Sequence, residues 1–137
     1  MKQGRFNPLL RGALFLMVLA GAPAAIAHHG ATVYDRDNPI TVEGVVREFR
    51  WTSPHAWILV DVPVSGAAGP ASGVSQQWSF EGAAISVMVR NGWKSSTLHP
   101  GDHIRVLAAP RRDGGRGGEF LAVTLGDSGR TLQAGIP

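Results

Sequence analysis

Ile40-Thr41-Val42-Glu43-Gly44-Val45-Val46-Arg47-Glu48-Phe49-Arg50-Trp51, followed by Thr52-Ser53-Pro54-His55 and then Ala56-Trp57-Ile58-Leu59-Val60-Asp61-Val62-Pro63, is the stretch on which the fold turns. Its first part alternates apolar and polar side chains, the period of a strand with one buried face. Ile40, Val42 and Gly44 share one face, Val45, Arg47 and Phe49 the other, and the apolar phase changes at Gly44-Val45-Val46. A glycine at a phase change predicts a bulge or sharp bend there, which lets one long strand serve two sides of a small barrel. After the Thr52–His55 connection, Ala56, Ile58, Val60 and Val62 alternate with Trp57, Leu59 and Asp61 in a second strand that Pro63 closes.

Downstream, Ser65–Ser75 is a Gly/Ala/Ser-rich surface loop around Pro70, and Gln77–Glu81 reads as a short third strand with Trp78 and Phe80 on its apolar face. Between Gly82 and Arg90 the spacing of Ala84, Ile85, Met88 and Val89 is near helical, and Asn91-Gly92 supplies a stop. We therefore expect a short helix, although Ile85, Val87 and Val89 would also suit a strand. Leu98-His99-Pro100-Gly101-Asp102 is a turn. His103–Ala109 resumes period two with Ile104, Val106 and Ala108 inward; Pro110–Gly118 is a long hairpin tip; Phe120–Leu125 is a fifth strand; and Gly126-Asp127-Ser128-Gly129 turns into a tail. Three strands, a helix and two strands, with a break in the first, predict a mainly β domain of Greek-key, OB-like barrel topology. A sandwich or other small barrel with an extended 83–91 segment is the alternative.

Upstream, Lys2, Arg5 and Arg11 precede an apolar run from Ala13 to Ala20, and Ala25 and Ala27 fit the small-residue cleavage rule. This is the order of a secretory signal peptide. The run is short for a membrane span of about 20 residues. Cleavage before His28 makes residues 1–27 the leader and 28–137 the single mature domain; a cut before Ala25 is the alternative. Periplasmic or secreted localisation, with no integral membrane association after cleavage, follows as an expectation. Losing the leader removes three of the thirteen Lys plus Arg and no acid, leaving ten of each sign. A neutral exported domain lacks the electrostatic attraction that dominates non-specific nucleic-acid binding, so no nucleic-acid partner is expected. The absence of cysteine excludes disulfides and thiolate metal sites.

The His28-His29-Gly30 start, the Trp51-Thr52-Ser53-Pro54-His55 motif within residues 42–57, Gly92-Trp93, Leu98-His99-Pro100-Gly101-Asp102 and Arg112–Gly118 resemble a family of small exported proteobacterial proteins whose function is not established. The resemblance covers nearly all of 28–132. Members carry Asn where this chain has Ser53, and Ser where it has Gly30; neither departure removes a potential ligand. The resemblance implies a compartment and an architecture, not an activity.

All five histidines lie in the mature part and are the strongest candidates for chemistry. A terminal His28 offers its amine and imidazole to one metal, and a second imidazole completes three nitrogens in a T, an arrangement suited to Cu(II). The chain is similar in this respect, and only in its terminal histidine, to exported copper proteins with a histidine brace. His55, placed by Pro54 at the mouth of a strand, is the candidate partner. His29 is an alternative ligand, although adjacent side chains diverge along an extended chain. If Ala27 leads instead, the amine, amides and third-position His29 make a square-planar set. The plainer reading is a solvated histidine start and a turn-capping His55. His99 and His103 flank a turn and read as exposed turn residues.

The four tryptophans read mainly as core and rim packing, except Trp57, which alternation turns outward beside His55 as a candidate ligand-contacting residue. Two functional readings follow: a copper-handling protein using His28 and His55, or a module that binds a small ligand or a protein through the Trp57 face without metal. Sequestration is favoured over catalysis, and a metal-dependent oxidase ranks third. Gly126–Gly129 looks like a serine-protease nucleophile segment, but so short a chain cannot supply that fold; Arg116-Gly117-Gly118 is one glycine-rich loop unit rather than an RNA-binding array. Glu43, Glu48 and Glu81 are carboxylates whose mutual distances strand faces alone do not establish.

Overall fold

The computed structural model describes residues 33–64 and 74–135. Within them run β1 (Ile40–Arg50), β2 (His55–Pro63), β3 (Ser75–Ala84), α1 (Ile85–Arg90), β4 (His103–Pro110), β5 (Gly117–Leu125) and β6 (Thr131–Gln133). β1 lies between β2 and β4, antiparallel to both; β3 is antiparallel to β2 and β5 to β4; a parallel seam between β3 and β5 closes the circuit. The barrel order 1-2-3-5-4-1, with a helix between the third and fourth strands, is the expected OB-like Greek key. The closing seam is only three residue pairs long, Ser79–Gly117, Phe80–Gly118 and Glu81–Glu119.

Period-two alternation builds the core. Val42 and Val46 from β1, Ala56, Ile58 and Val60 from β2, Phe80 from β3, Ile104, Val106 and Ala108 from β4 and Phe120 and Val123 from β5 all point inward and are buried. Burying a side chain of Val, Ile or Phe size stabilises by about 1.5–3 kcal/mol, which is how a domain without disulfides holds together. α1 closes one end of the barrel by inserting Met88; beyond its Asn91 cap, Trp93 packs on Phe120 and Phe49 with ring centroids 5.6 and 6.0 Å apart.

Besides a β5 that begins at Gly117 rather than Phe120 and an α1 that begins at Ile85 rather than Gly82, three details depart from the sequence expectation. The first-strand irregularity lies between Val46 and Glu48, where Arg47 is the extra residue, and not at Gly44. Val42, Gly44 and Val46 keep one uninterrupted inward face, and the half-buried, apolar Val45 disguised it. Gly44 serves close packing instead: a Cβ there would lie 2.5 Å from the Asp61 carbonyl oxygen and 2.6 Å from Val60 Cγ1. Secondly, β3 is longer than 77–81, extending to Ser75 and Ala84 because it pairs with β2 along its whole length. Thirdly, the barrel is not the whole sheet, since the tail adds β6 outside it, against Ala122–Thr124 of β5. Leu132 and Ala134 are buried, the Trp93 indole N–H donates to the Gln133 carbonyl at 2.8 Å, and the Asn91 amide donates to the Gly135 carbonyl at 2.8 Å. A buried indole needs an acceptor, and the tail supplies it. The expected loop at 65–75 lies largely outside the described residues.

Candidate functional site

On β2 the buried positions Ala56, Ile58 and Val60 force His55, Trp57, Leu59 and Asp61 to the outer face. The connection before His55 holds a cis Ser53–Pro54 peptide. On β3, Phe80 and Gly82 are buried, so Glu81 between them also faces outward, directly across from Trp57. The register between β2 and β3 slips between Trp57–Glu81 and His55–Ala84. With that slip, Glu81 Oε1 lies 2.6 Å from His55 Nδ1.

A third member comes from the arm that precedes β1. Backbone hydrogen bonds tie the arm to the end of β4 and the residues after it: Asp35 N–H donates to the Pro110 carbonyl at 2.8 Å and Arg112 N–H to the Val33 carbonyl at 2.9 Å, with a β-bridge between Tyr34 and Arg111. The buried Tyr34 then donates its hydroxyl to Glu81 Oε2 at 2.6 Å. Burial, followed by the hydrogen bond to and the negative charge of Glu81, pushes the phenol well above the ordinary tyrosine range, so it remains a protonated donor. One carboxylate thus joins residues 34, 55 and 81.

Glu81 faces a second acid across the seam, since Glu119 is its register partner on β5. Like charges directly opposite each other are unfavourable. Arg36 counters this with a bidentate grip on Glu119, Nε to Oε2 at 2.7 Å and Nη2 to Oε1 at 2.6 Å. That hydrogen-bonded pairing raises the Arg36 guanidinium above its ordinary range. Glu119 is therefore held by the arm's arginine and Glu81 by the arm's tyrosine and the strand's histidine.

The remaining carboxylates singled out in the sequence are engaged elsewhere, Glu48 with Arg50 and Glu43 with Arg105, each at 2.7 Å. His103 is aligned with Val45, which in turn pairs with Asp61, so it lies at the far end of β2 from His55. His99 is exposed in its turn. Trp57 is half-buried beside His55 on the outer face, while Trp93 is core and Trp51 and Trp78 pack partly against it. His28 and His29, like the leader, lie outside the described residues.

Among the described residues no group of three or more His, Asp or Glu could hold a metal ion by itself. Two surface hollows, one lined by Gly44, His103, Arg105 and Thr124 and the other by Ile40, Val42, Val62 and Trp78, include none of Tyr34, His55 and Glu81. The cluster lies on the outer face of β2 and β3, with the His55 side chain 44% and the Glu81 side chain 23% exposed. Sequence reasoning singled out His55 and Trp57, which the structure sets side by side on β2, and did not single out Tyr34. One signal was present: it is the only tyrosine of the chain.

Residues 16–120 match the profile of a family described as a family of unknown function, DUF6152. No curated protein and no solved structure matches the chain.

Proposed function

We propose that this small β-barrel chain, a member of the DUF6152 family of unknown function, is an exported copper-binding protein of the periplasm that joins an amino-terminal histidine to His55 in one nitrogen-rich site. The observation that carries this reading is the convergence of the arm and His55 on Glu81: Tyr34 binds one oxygen of that carboxylate and His55 the other. From Tyr34 back to His28 the chain spans at most about 20 Å when extended, so the anchored arm leaves His28 and His29 within reach of the His55 ring. Cleavage before His28 supplies a primary amine and an imidazole; His55 adds a second imidazole, and amine plus imidazoles favour Cu(II). With Ala27 leading, His29 takes over as the terminal ligand. The half-exposed His55 ring on the outer face of β2 suits sequestration or delivery of the ion.

The test begins with the mature amino terminus by mass spectrometry and continues with calorimetric titration of Cu(II) into native protein, His28→Ala and His55→Ala. One tight site, weakened at least about 100-fold by either substitution, is the expected result, since losing a ligand should exceed the effect of losing a group that only orients one. Quenching of tryptophan fluorescence that is absent in Trp57→Phe would add proximity. Weak binding indifferent to both histidines rejects the proposal.

Trp57 supports a second reading. It is half-buried beside His55 and Glu81 on the β2–β3 face, the face on which OB-folds bind their ligands. A metal-free module would use this face for a small ligand or a protein segment, and a bound partner lost in Trp57→Ala but kept in His28→Ala would favour it over copper.

A further inference from the structure

We infer that Glu81 is a positioning residue that holds neutral His55 in the tautomer with its proton on Nδ1 and so presents Nε2 as the nitrogen open to a metal. The geometry stands by itself, and only its consequence for affinity rests on the copper-binding reading above.

The argument is an inventory of donors and acceptors. An ionised carboxylate can only accept hydrogen bonds, and a phenol below its pKa has one proton to give. Tyr34 gives that proton to Oε2, which leaves Oε1 facing His55 Nδ1 at 2.6 Å. If Nδ1 carried a lone pair, two acceptors would confront each other at hydrogen-bond distance with no proton between them. The neutral ring must therefore carry its hydrogen on Nδ1, and the lone pair falls on Nε2. Among the described residues Nε2 has no hydrogen-bond partner, and the side chain is 44% exposed, so this lone pair is available from outside.

Orientation is fixed as well as tautomer. Glu81 is less exposed than His55, at 23%, and is set in β3 between two inward positions. Its second oxygen is tied by a phenol whose own backbone is stapled beside the end of β4. A carboxylate restrained at both oxygens cannot swing away, and the ring bound to it cannot rotate freely. This is the arrangement by which an outer carboxylate orients a metal-bound imidazole and raises its basicity. Tyr34 therefore acts through Glu81 without touching the ion.

The experiment uses the uniformly 15N-labelled mature protein and correlates ring nitrogens with ring protons by NMR, without metal, at a pH where the histidines are neutral. His55 should show a protonated Nδ1 and a bare Nε2, and His99 and His103 should show the opposite form that free imidazole side chains prefer. In Glu81→Gln the amide can donate as well as accept, so His55 should lose its single tautomer and Cu(II) affinity should fall about 10- to 100-fold. Tyr34→Phe keeps both partners of the ring, so the tautomer should persist with an affinity loss of only a few fold, which keeps the idea testable should Glu81→Gln fail to fold. A native His55 with its proton on Nε2, or a Glu81→Gln protein with an unchanged tautomer, overturns the inference even if copper binds. A correct tautomer in a protein that does not take up copper sinks the functional reading and leaves this inference standing.

Discussion

In the turn that leads into β2, Pro54 precedes His55, whose ring meets a carboxylate from a different strand; in the turn that leads into β4, His99 precedes Pro100, and its ring approaches Asp102 three residues on. Both turns set a proline beside a histidine, but the partners of the two rings differ. Glu81 lies 26 residues from His55, and its ring contact is 2.6 Å; His99 Nδ1 is 3.8 Å from Asp102 Oδ2, and that same oxygen accepts the His99 backbone N–H at 2.8 Å. Asp102 is thus occupied with shaping its own turn, as short polar side chains commonly are. A local carboxylate makes a turn, whereas a carboxylate brought by the fold and anchored from behind makes an oriented ring.

Two substitution pairs and one single substitution test how deep this contrast runs, beginning with the glycines of the two regions. A Cβ on Gly82, next to Glu81, would lie 2.5 Å from Phe120 Cζ in the core, whereas one on Gly101, next to Asp102, would meet nothing within 4 Å but would sit at a φ of +97°. Gly82→Ala should therefore cost about 1–3 kcal/mol by overpacking, and Gly101→Ala about 1 kcal/mol by backbone strain, both read from urea denaturation midpoints. Equal costs would mean that the core beneath Glu81 yields more easily than its packing implies.

Next come the groups that hold each carboxylate or are held by it. Tyr34→Phe removes a buried donor to a charged acceptor and should lose about 1.5 kcal/mol. Asp102→Ala removes one exposed turn bond and should lose about 1 kcal/mol or less. Amide exchange at Asp35 and Arg112 should quicken in the first variant only, because the arm alone depends on the phenol. The smallest expected effect is His99→Ala, within about 0.5 kcal/mol of native stability and with unchanged Cu(II) binding, since its contact is exposed and long. A larger change in either quantity would erase the distinction between the two turns.

Much of the barrel was legible from alternation. Ala56, Ile58 and Val60, and again Ile104, Val106 and Ala108, announced their inward faces because one side of each strand is buried and the other is not. The helix was legible through Met88 and the Asn91-Gly92 stop. Arg47 as the bulge was not, because Val45 is apolar yet only half-buried and imitates a phase change one step early. β6 carries a single buried side chain, Leu132, too little for a periodic signal, and its pairing depends on Trp93 and Asn91 some forty residues away. At the site, His55 and Trp57 followed from strand phase and a preceding proline. The choice of Glu81 over Glu43 and Glu48 did not, since it depends on a register slip between β2 and β3 and on a tyrosine 47 residues upstream. Long-range pairing of polar groups leaves almost no periodic trace, whereas the burial of apolar ones does.

The narrow parallel seam has a consequence for when the site can exist at all. Glu81 stands on the last of its three residue pairs, and Tyr34 reaches that carboxylate from an arm docked where the hairpin returns to form β5. Zipping up the cylinder therefore completes the cluster: an open or half-made copy can keep the β2–β3 contact between His55 and Glu81 but lacks the phenol that restrains the carboxylate from behind. By mass action, any guest that selects the aimed ring will in turn clamp the cylinder shut, so occupancy becomes a gauge of whether the molecule has finished folding.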